Sequence, residues 1–336
     1  MRGLVMSTSP RTALLIRNPA SGSSREQALR LERFLDRLAQ GGVRCVVRVT
    51  ERPGHAVELA KRGCLESAGF DCVIAAGGDG TVHEVASGLI AGGSRVALAV
   101  APFGRGNDIA QLVGVSGAGL PDDEAALRAI LEPRPVTLDT IRVSWIRREG
   151  ADGTGPGGES LEMVRHAILF GGVGFVGELL RRTTPATVRW FGPRWCYSAG
   201  FFRALFSFRP PVLRVRSEEG QEVLPHAVVA LAGNAPFAGG GLMRIGPGAS
   251  MTDGLMELTL IEAVGRLELA LQFVRLLRGT HVRHRKVRFF RGRWLEVSAD
   301  PEQPLAFDGE LLGTSPVRFE VAPRSLTLLT GPGSRV

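Results

Sequence analysis

Apolar runs alternate with amphipathic stretches through the first hundred residues. Four runs rich in Val, Ile, Leu and Ala predict strands: Thr12–Asn18, Val43–Val49, Cys72–Ala76 and Val96–Ala101. Of these, Thr12–Asn18 and Cys72–Ala76 are predicted to be buried. Three stretches between them predict helices: Ser24–Gln40, Gly54–Leu65 and Val82–Ile90. Strands that alternate with helices in this way are typical of an open α/β sheet, in which ligands bind at the carboxyl ends of the strands.

After about residue 133 the pattern changes to short strand-like runs. These are Val136–Trp145, Met163–Phe170, Val212–Val215, Ala227–Ala232, Leu255–Ile261, Leu295–Val297, Val317–Val321 and Leu326–Leu329. A Gly-rich loop over 149–160 and two helical insertions, near 174–206 and 265–278, interrupt them. Such spacing predicts a β-sandwich. We therefore expect an α/β domain over 1–138 and a β-sandwich domain over 139–322.

Composition agrees with two ordinary globular domains. The chain has 336 residues, of which 44% are hydrophobic, and at about 150 residues per domain this length predicts two domains. The 44 glycines follow no three-residue period, which excludes collagen. Neither a disordered chain nor a small disulfide scaffold has this length and apolar content.

The charge balance indicates anionic partners. Lys and Arg number 41 against 33 Asp and Glu, a net charge of +8. Nucleic acid, a membrane surface and phosphorylated ligands are the classes that a basic chain favours. Only Lys61 and Lys286 are lysines. Arginine binds phosphate well through its planar fork, although a GC-rich genome would also produce this excess of arginine.

The cysteines and the apolar runs predict a cytoplasmic protein. Cys45, Cys64, Cys72 and Cys196 form no CxxC pair and no zinc-binding spacing, so we expect reduced thiols. The first residues contain too short an apolar run for a signal peptide. No uncharged apolar stretch reaches the roughly 18 residues of a transmembrane helix, so membrane contact would be peripheral.

The strongest chemical signal is the run Gly77-Gly78-Asp79-Gly80-Thr81, between a predicted strand and a predicted helix. Glycine lets the backbone approach a ligand closely, and a helix start offers N–H donors and a positive dipole end. Both features suit phosphate. Asp79 would repel phosphate unless it serves metal, proton or ribose chemistry. The alternative is a plain turn in which Asp79 caps the helix.

Two further polar loops follow predicted strands of the same sheet. Asn18-Pro19-Ala20-Ser21-Gly22 follows the first strand, and Pro102–Asp108 follows the strand at 96–101. Parallel strands would bring all three loops to one edge, where they would converge on one ligand. The chain has neither a P-loop nor a protein-kinase signature. The first strand also lacks the GxGxxG run of dinucleotide-binding dehydrogenases.

Together these motifs resemble the nucleotide-site motifs of the diacylglycerol kinase catalytic family, which includes soluble bacterial lipid kinases and the sphingosine and ceramide kinases. The segments that carry the resemblance are NPASG, GGDGTVHEV and PFGRGNDIA. It continues through Asn234, Gly239 to Gly241, Pro247, Ala249, Asp253-Gly254, Gly279-Thr280-His281, Asp308-Gly309-Glu310, Pro316 and Pro323. It covers residues 12 to about 330.

The resemblance implies a lipid kinase that uses ATP and Mg²⁺. The positions that match the family's ATP contacts are Asn18, Pro19, Ala20, Ser21, Gly22, Thr50, Gly77, Gly78, Asp79, Gly80, Thr81, Val82, His83 and Arg105. Glu310 matches the acidic residue proposed to take the proton of the lipid hydroxyl, and Asp79 matches a carboxylate of the metal–phosphate chemistry. The Mg²⁺ ligands would be Asp253 and the backbone carbonyls of Ser250 and Leu255.

The family's architecture carries two further expectations. The strand Leu326–Leu329 returns to the first domain, so that 323–336 complete it. A cleft between the domains would bring Asp79 and Glu310 together, so that a carboxylate can orient and deprotonate the attacking hydroxyl. Without this context, Asp308-Gly309-Glu310 would be interpreted as a β-turn with two solvated acids.

Basic residues cluster with aromatic ones in the second half. Each of the segments 181–216 and 275–293 has eight Lys or Arg and no Asp or Glu. Eight aromatic residues lie among the cations of the first segment, namely Trp190, Phe191, Trp195, Tyr197, Phe201, Phe202, Phe206 and Phe208. This pattern favours peripheral contact with an anionic membrane, with a solvated face over core aromatics as the alternative. No recognised nucleic-acid module accompanies it, so we expect no nucleic-acid partner.

Two other functions remain open at this point. An NAD kinase-like nucleotide kinase would share the GGDGT run and the two-domain plan. A non-catalytic nucleotide or lipid sensor is the second, because Arg105 stands where the family usually has Thr or Ser. The lipid itself is not encoded in the motifs, and diacylglycerol, phosphatidylglycerol, a sphingoid base and ceramide are all candidates.

Overall fold

The computed structural model describes residues 10–19, 25–65, 69–93, 96–104, 107–117, 120–148, 160–239 and 241–336. The chain divides into two compact units. The first consists of Met1–Leu138 with Arg324–Val336, and the second of Asp139–Pro323. The predicted loop at 149–160 falls almost entirely outside the described residues.

The first unit alternates strands and helices. Its strands are β1 (Thr12–Arg17), β2 (Arg44–Val49), β3 (Cys72–Gly77), β4 (Ala97–Pro102), β5 (Ser116–Gly117) and β6 (Leu120–Pro121). Its helices are α1 (Arg25–Gln40), α2 (His55–Leu65), α3 (Asp79–Ala91), α4 (Asp108–Leu112) and α5 (Asp123–Leu131). The helices α4 and α5 were not predicted, because five and nine residues are too few to show a clear helical period.

The second unit is rich in strands. They are β7 (Pro135–Arg148), β8 (Ser160–Ala167), β9 (Phe170–Gly174), β10 (Val212–Ser217), β11 (Gly220–Leu224), β12 (Ala227–Gly233), β13 (Met256–Glu262), β14 (Val287–Gly292), β15 (Trp294–Asp300), β16 (Pro304–Phe307), β17 (Glu310–Thr314) and β18 (Val317–Leu329). Its helices are α6 (Phe175–Arg182), α7 (Pro185–Ser207) and α8 (Arg266–Arg278). The first residues of β7 and the last of β18 belong to the first unit.

The sheet of the first unit is parallel, as predicted. Its order is β2-β1-β3-β4, followed by the end of β18, which pairs parallel to β4 at Leu328 and Leu98. Every residue of β3 and β4 is buried, as expected for the central strands of a sheet covered on both faces. The carboxyl ends of β1, β3 and β4 therefore lie along one edge.

The second unit contains two facing sheets around one apolar core. The strands β14-β13-β12-β9-β16-β17 form one sheet, and β11-β10-β15-β18 with β7 and β8 contribute to the other. Trp145, Phe307 and Phe319 are buried in the core that both sheets share. The predicted class, an α/β domain with a β-sandwich domain, is confirmed.

Two strand predictions differ from the structure. The predicted strand Met163–Phe170 is divided into β8 and β9 at Ile168 and Leu169. The runs Val317–Val321 and Leu326–Leu329 belong to the single strand β18, in which Arg324 has a φ of 51°. Such a positive φ bends the strand, which is why the apolar pattern is interrupted there.

Candidate functional site

The ends of β1 and β3 are held together by the side chain of Asn18. Its amide Nδ2 donates a hydrogen bond to Oγ1 of Thr81 (3.1 Å), and its backbone N–H bonds the carbonyl of Ala76 (3.2 Å). Thr50, at the end of β2, joins the same edge because its N–H bonds the carbonyl of Arg17 (2.9 Å). The structure thus brings Asn18, Thr50 and Thr81 to one edge of the sheet.

The loops after β3 and β4 meet through glycine backbone. A Cβ atom added to Gly104 would lie 2.2 Å from Cα of Gly78, closer than atoms can approach. The N–H of Phe103 also bonds the carbonyl of Gly77 (3.0 Å). Only glycine at position 104 allows this contact, so Gly104 determines how closely the two loops approach each other at Gly78. Gly104 lies in the predicted segment, but its contact with Gly78 is visible only in the folded chain.

Asp79 does not cap its helix, so the alternative interpretation of this residue is wrong. The helix α3 begins at Asp79 rather than at the predicted Val82, because the N–H groups of Thr81 and Val82 already bond the carbonyl of Gly78. Oδ1 of Asp79 accepts a hydrogen bond from the N–H of Ile109 (3.1 Å), near the start of α4. Asp79 therefore ties the loop after β3 to the loop after β4.

The remaining predicted ATP contacts fall into two groups. Val82 and His83 are buried in α3, at 2% and 4% exposure, so their side chains pack within the unit. Gly80 lies in the first turn of the same helix, and Pro19 directly follows Asn18. Ala20, Ser21, Gly22 and Arg105 lie outside the described residues.

Arg30 supports this edge and was not predicted. Its Nη2 donates to the carbonyl of Pro102 (3.1 Å), and its guanidinium lies 4.4 Å from the centre of the Phe103 ring. It also forms an ion pair with Asp123. An arginine on an amphipathic helix gives no signal of such a role in the sequence, since most such residues face only solvent.

In the second unit Asp308 is buried and holds the chain from which Glu310 extends. Its Oδ2 accepts a hydrogen bond from the N–H of Ile168 (2.5 Å), and its Oδ1 from Leu169 (2.9 Å) and Phe170 (3.0 Å). The interpretation of two solvated acids is therefore wrong for Asp308. These bonds also explain the break between β8 and β9, because the N–H groups there bond a carboxylate.

Glu310 begins β17 on the far side of a tight turn. Asp308 and Gly309 have φ values of 46° and 86°, which are typical of a two-residue type I′ hairpin. Phe307 and Glu310 are the paired residues that flank the turn. Glu310 is half-buried, whereas Gly309 is exposed. The direction in which the Glu310 backbone leaves the turn is therefore set by the buried carboxylate of Asp308.

Asn234 holds the same backbone segment from the other side. Its N–H bonds the carbonyl of Leu169 (2.8 Å), and its Nδ2 donates to the carbonyl of Asp139 (2.7 Å). Oδ2 of Asp139 in turn accepts from the N–H of Gly254 (2.7 Å). Asp139, 1% exposed, was not predicted, although an acidic residue within an apolar strand run was a usable signal.

The predicted Mg²⁺ ligands lie in the turn that Asp139 holds. Oδ1 of Asp253 accepts from the N–H of Leu255 (3.1 Å), and Oδ2 lies 3.5 Å from Nη1 of Arg291. Within the described residues, no three His, Cys, Asp or Glu side chains gather into a metal site. One carboxylate with the carbonyls of Ser250 and Leu255 nevertheless suits Mg²⁺, which takes oxygen ligands and keeps several waters. The donor set therefore fits the ion.

His281, in the 3₁₀ turn that follows α8, is 3% exposed. Burial lowers the pKa of its imidazole from 6.5 to about 4. The residue is therefore neutral at physiological pH.

The second unit also carries an open groove of about 520 Å³ on the outer face of a sheet. Its lining includes Arg214, Arg216, Glu296 and Arg318 but neither Asn234 nor Glu310. A groove lined by these charged side chains does not suit acyl chains. In the part of the chain that the structure describes, no helix is long and apolar enough to cross a bilayer.

Comparison with known proteins finds matches in both halves of the chain. Residues 12–143 match the family described as the diacylglycerol kinase catalytic domain. Residues 180–330 match the YegS C-terminal NAD kinase beta sandwich-like domain.

Relatives cover nearly the whole chain. A probable lipid kinase YegS-like of Chromohalobacter salexigens is 31% identical over 303 residues, covering 89% of this chain and 88% of its own length. The diacylglycerol kinase of Bacillus subtilis is 26% identical, covering 91% and 92%. The crystal structure of a putative diacylglycerol kinase from Bacillus anthracis superposes with a TM-score of 0.74 at 19% identity, covering 99% of both chains. At that identity the structural likeness supports the fold.

Proposed function

The chain belongs to the diacylglycerol kinase catalytic family, and we propose that it transfers the γ-phosphate of ATP to the hydroxyl group of a lipid alcohol. The observation that carries this proposal is that the chain segments following β1, β3 and β4 meet at one edge of the first unit's sheet. Gly78 and Gly104 touch through backbone, and Asn18 bonds Thr81 at the start of α3. Such an edge, from which the helix α3 begins, suits phosphate because a helix start offers backbone N–H groups and a positive dipole end.

In this proposal the first unit binds the donor. Asn18 and the segment Gly77–Thr81 are the phosphate-binding elements, and Thr50 completes the ATP contacts at the same sheet edge. Val82 and His83, whose side chains are buried in α3, would support these elements from within the unit. Asp79 holds the loops after β3 and β4 in place through Ile109 and supplies a carboxylate to the metal–phosphate chemistry. Phosphoryl transfer depends mainly on positioning and charge stabilisation, and this rigid backbone edge provides the positioning.

The second unit supplies the general base. We propose that Glu310 takes the proton of the lipid hydroxyl as the hydroxyl oxygen attacks the γ-phosphorus and ADP leaves. A base must be held in a fixed direction to act within hydrogen-bond reach of its substrate. The buried carboxylate of Asp308, two residues before Glu310, gives it that fixed support.

Mg²⁺ would be held by Asp253 and the backbone carbonyls of Ser250 and Leu255, where it would stabilise the turn through its charge. Asp139 orients the same turn by accepting the N–H of Gly254. We further propose that the protein is cytoplasmic and works in peripheral contact with an anionic membrane, since a lipid acceptor is found there.

The test combines purified protein, Mg²⁺ and γ-labelled ATP with mixed micelles of diacylglycerol, phosphatidylglycerol, a sphingoid base or ceramide. We expect label in the organic phase for at least one acceptor. Label that stays in the aqueous phase with NAD as acceptor would instead support the NAD kinase-like alternative. ATP binding without transfer to any acceptor would support the sensor.

Two variants assign the roles. Glu310→Gln should lower kcat by about 10²–10⁴-fold with little change in ATP affinity, because only proton transfer is lost. Asp79→Asn should abolish turnover while the protein remains folded. Asp36→Asn, an exposed acid on α1, is the matched control. If Glu310→Gln weakened ATP binding as much as it lowered kcat, its role as the general base would be wrong.

A further inference from the structure

The helices α7 and α8 each carry an apolar stripe that faces solvent. On α7 the stripe is Trp195, Phe202 and Phe206, which are 63%, 52% and 68% exposed. On α8 it is Leu267, Leu271 and Val274, which are 79%, 52% and 43% exposed. The residues of the α7 stripe have the spacing i, i+7 and i+11, and those of the α8 stripe have the spacing i, i+4 and i+7. Both spacings place residues on one face of a helix. We call these six residues the α7–α8 face.

This face is distinct from the one that packs into the protein. Phe201, Ala204 and Leu205 of α7 are buried, as is Phe273 of α8. The rings of Phe201 and Phe273 stack with their centres 4.1 Å apart and so join the two helices. A surface helix of a soluble protein normally needs a single apolar stripe, directed at the core. The solvent-facing stripe on each helix therefore does not contribute to the packing of this unit.

Unpaired cations border the face. Arg266 lies over the ring of Phe206, with 5.9 Å between its guanidinium carbon and the ring centre, which makes the two stripes neighbours. Arg275 and Arg278 are exposed on α8. Among the described residues these three arginines form no ion pair, whereas Arg288 and Arg291 of the same unit both pair with acids. The helix α7 contains no Asp or Glu.

We infer that the α7–α8 face docks on the surface of a bilayer that contains anionic lipid. Exposed Trp, Phe and Leu side chains would enter the headgroup region, while the arginines contact lipid phosphates. The inference rests on the proposed function in that the bilayer holds the lipid acceptor. A two-fold contact with a second copy is disfavoured by charge, because it would place the same unpaired arginines on both sides.

The test measures binding to vesicles by sedimentation, without ATP. We expect binding to vesicles of phosphatidylglycerol and phosphatidylcholine to be at least tenfold stronger than to phosphatidylcholine alone, and to weaken with salt. Phe206→Ser with Leu271→Ser should lower binding to the anionic vesicles by tenfold or more. Arg275→Gln with Arg278→Gln should lower it several-fold and reduce the salt dependence. Val223→Ser, an equally exposed apolar residue on β11, is the matched control and should bind like the wild type.

A second measurement locates the contact directly. Trp190 and Trp195 are 79% and 63% exposed, whereas Trp145 is buried in the core. Brominated anionic lipids should therefore quench tryptophan fluorescence, and Trp195→Phe should remove a large part of that quenching. Binding of the Phe206 and Leu271 double variant at the wild-type level would overturn the inference. So would a dimer in light scattering that this variant breaks while vesicle binding is retained.

Failure of the kinase proposal can be told apart from failure of this one. A short-chain acceptor that is soluble as a monomer needs no bilayer, so the double variant should phosphorylate it at the wild-type rate. Vesicle binding that depends on the face, without transfer to any lipid, would overturn the kinase function and support docking. Transfer to the soluble acceptor together with unchanged vesicle binding in the variant would overturn docking alone.

Discussion

The candidate sites of the two units are held together by different kinds of contact. In the first unit, backbone meets backbone, and the loops after β3 and β4 touch at Gly78 and Gly104. In the second unit, buried polar side chains hold the backbone, with Asp308 bonding three N–H groups and Asn234 bonding a neighbouring strand. The contact between the loops of the first unit therefore leaves no room for an added atom at Gly104. The anchor of the second unit depends instead on a carboxylate that accepts three N–H groups.

Among the substitutions that test this comparison, replacement of the buried carboxylate of Asp308 should produce the largest effect. Asp308→Asn would place an amide NH₂ where one of the two carboxylate oxygens accepts. At least one buried N–H donor would then be unpaired, at a cost on the order of 3 kcal/mol in the free energy of unfolding. Because the turn then loses its anchor, we also expect the transfer rate to fall by about 10²–10³-fold. Urea unfolding measures the loss of stability, and the lipid kinase assay measures the loss of transfer rate. Asp36→Asn is the control for both. A variant as stable and active as the wild type would refute the role of Asp308 as an anchor.

Adding one carbon to the first unit should have a smaller and more selective effect. The Cβ of Gly104→Ala would lie 2.2 Å from Cα of Gly78, so the loops must separate. We expect ATP affinity to fall by about tenfold to a hundredfold, and stability by about 1–3 kcal/mol. Titration with a fluorescent ATP analogue measures the ATP affinity. Gly265→Ala, where an added Cβ meets no atom within 4 Å, is the control. Unchanged affinity would mean that the contact between the loops does not shape the nucleotide site.

Acid should weaken the second unit through His281. The pKa of its imidazole is about 4 in the folded protein and 6.5 ordinarily, so between these values the unfolded chain binds more protons. The contribution of His281 to stability is thus complete above pH 6.5 and is lost as the pH falls toward 4, by roughly 1–3 kcal/mol. Urea unfolding at pH 7 and 4.5 should show a smaller difference for His281→Gln than for the wild type. His226→Gln, on an exposed histidine, should keep the wild-type difference. Equal differences in all three proteins would contradict the prediction.

The contrast between the units also explains what the sequence could and could not predict. Each segment of the first site follows its strand directly, so Asn18, Gly77–Thr81 and the Pro102–Asp108 loop could be placed at one sheet edge from local patterns alone. The anchors of the second site act across long stretches of chain, and Asp308 bonds residues 138 to 140 positions away. No local pattern distinguishes such an acid from a solvated one. The same bonds divide β8 from β9. The anchoring role of Asp308, which was not predicted, and the error in the predicted strand Met163–Phe170 therefore have the same cause.

Some errors arise from backbone geometry rather than from distance. The start of α3 was predicted three residues late, because glycine and aspartate lower helix propensity although a first turn accepts them. The exposed stripes of α7 and α8 have the spacing of a core face, and only their exposure distinguishes them from one. The assignments of ATP contacts, of Mg²⁺ ligands and of Glu310 as base stay predictions, which the experiments above address.

The return of β18 to the first unit has a consequence for synthesis on the ribosome. Its final residues pair with β4, Thr327 bonds Thr137, and the N–H of Gly331 bonds the carbonyl of Val113 (2.7 Å). The second unit, Asp139–Pro323, is translated between the two parts of the first. At about 5–20 residues per second, the sheet edge at β4 waits roughly 10–40 s for its last strand. During that interval the unpaired edge of β4 is a template on which another chain can pair, so aggregation during synthesis has a defined period and a defined segment.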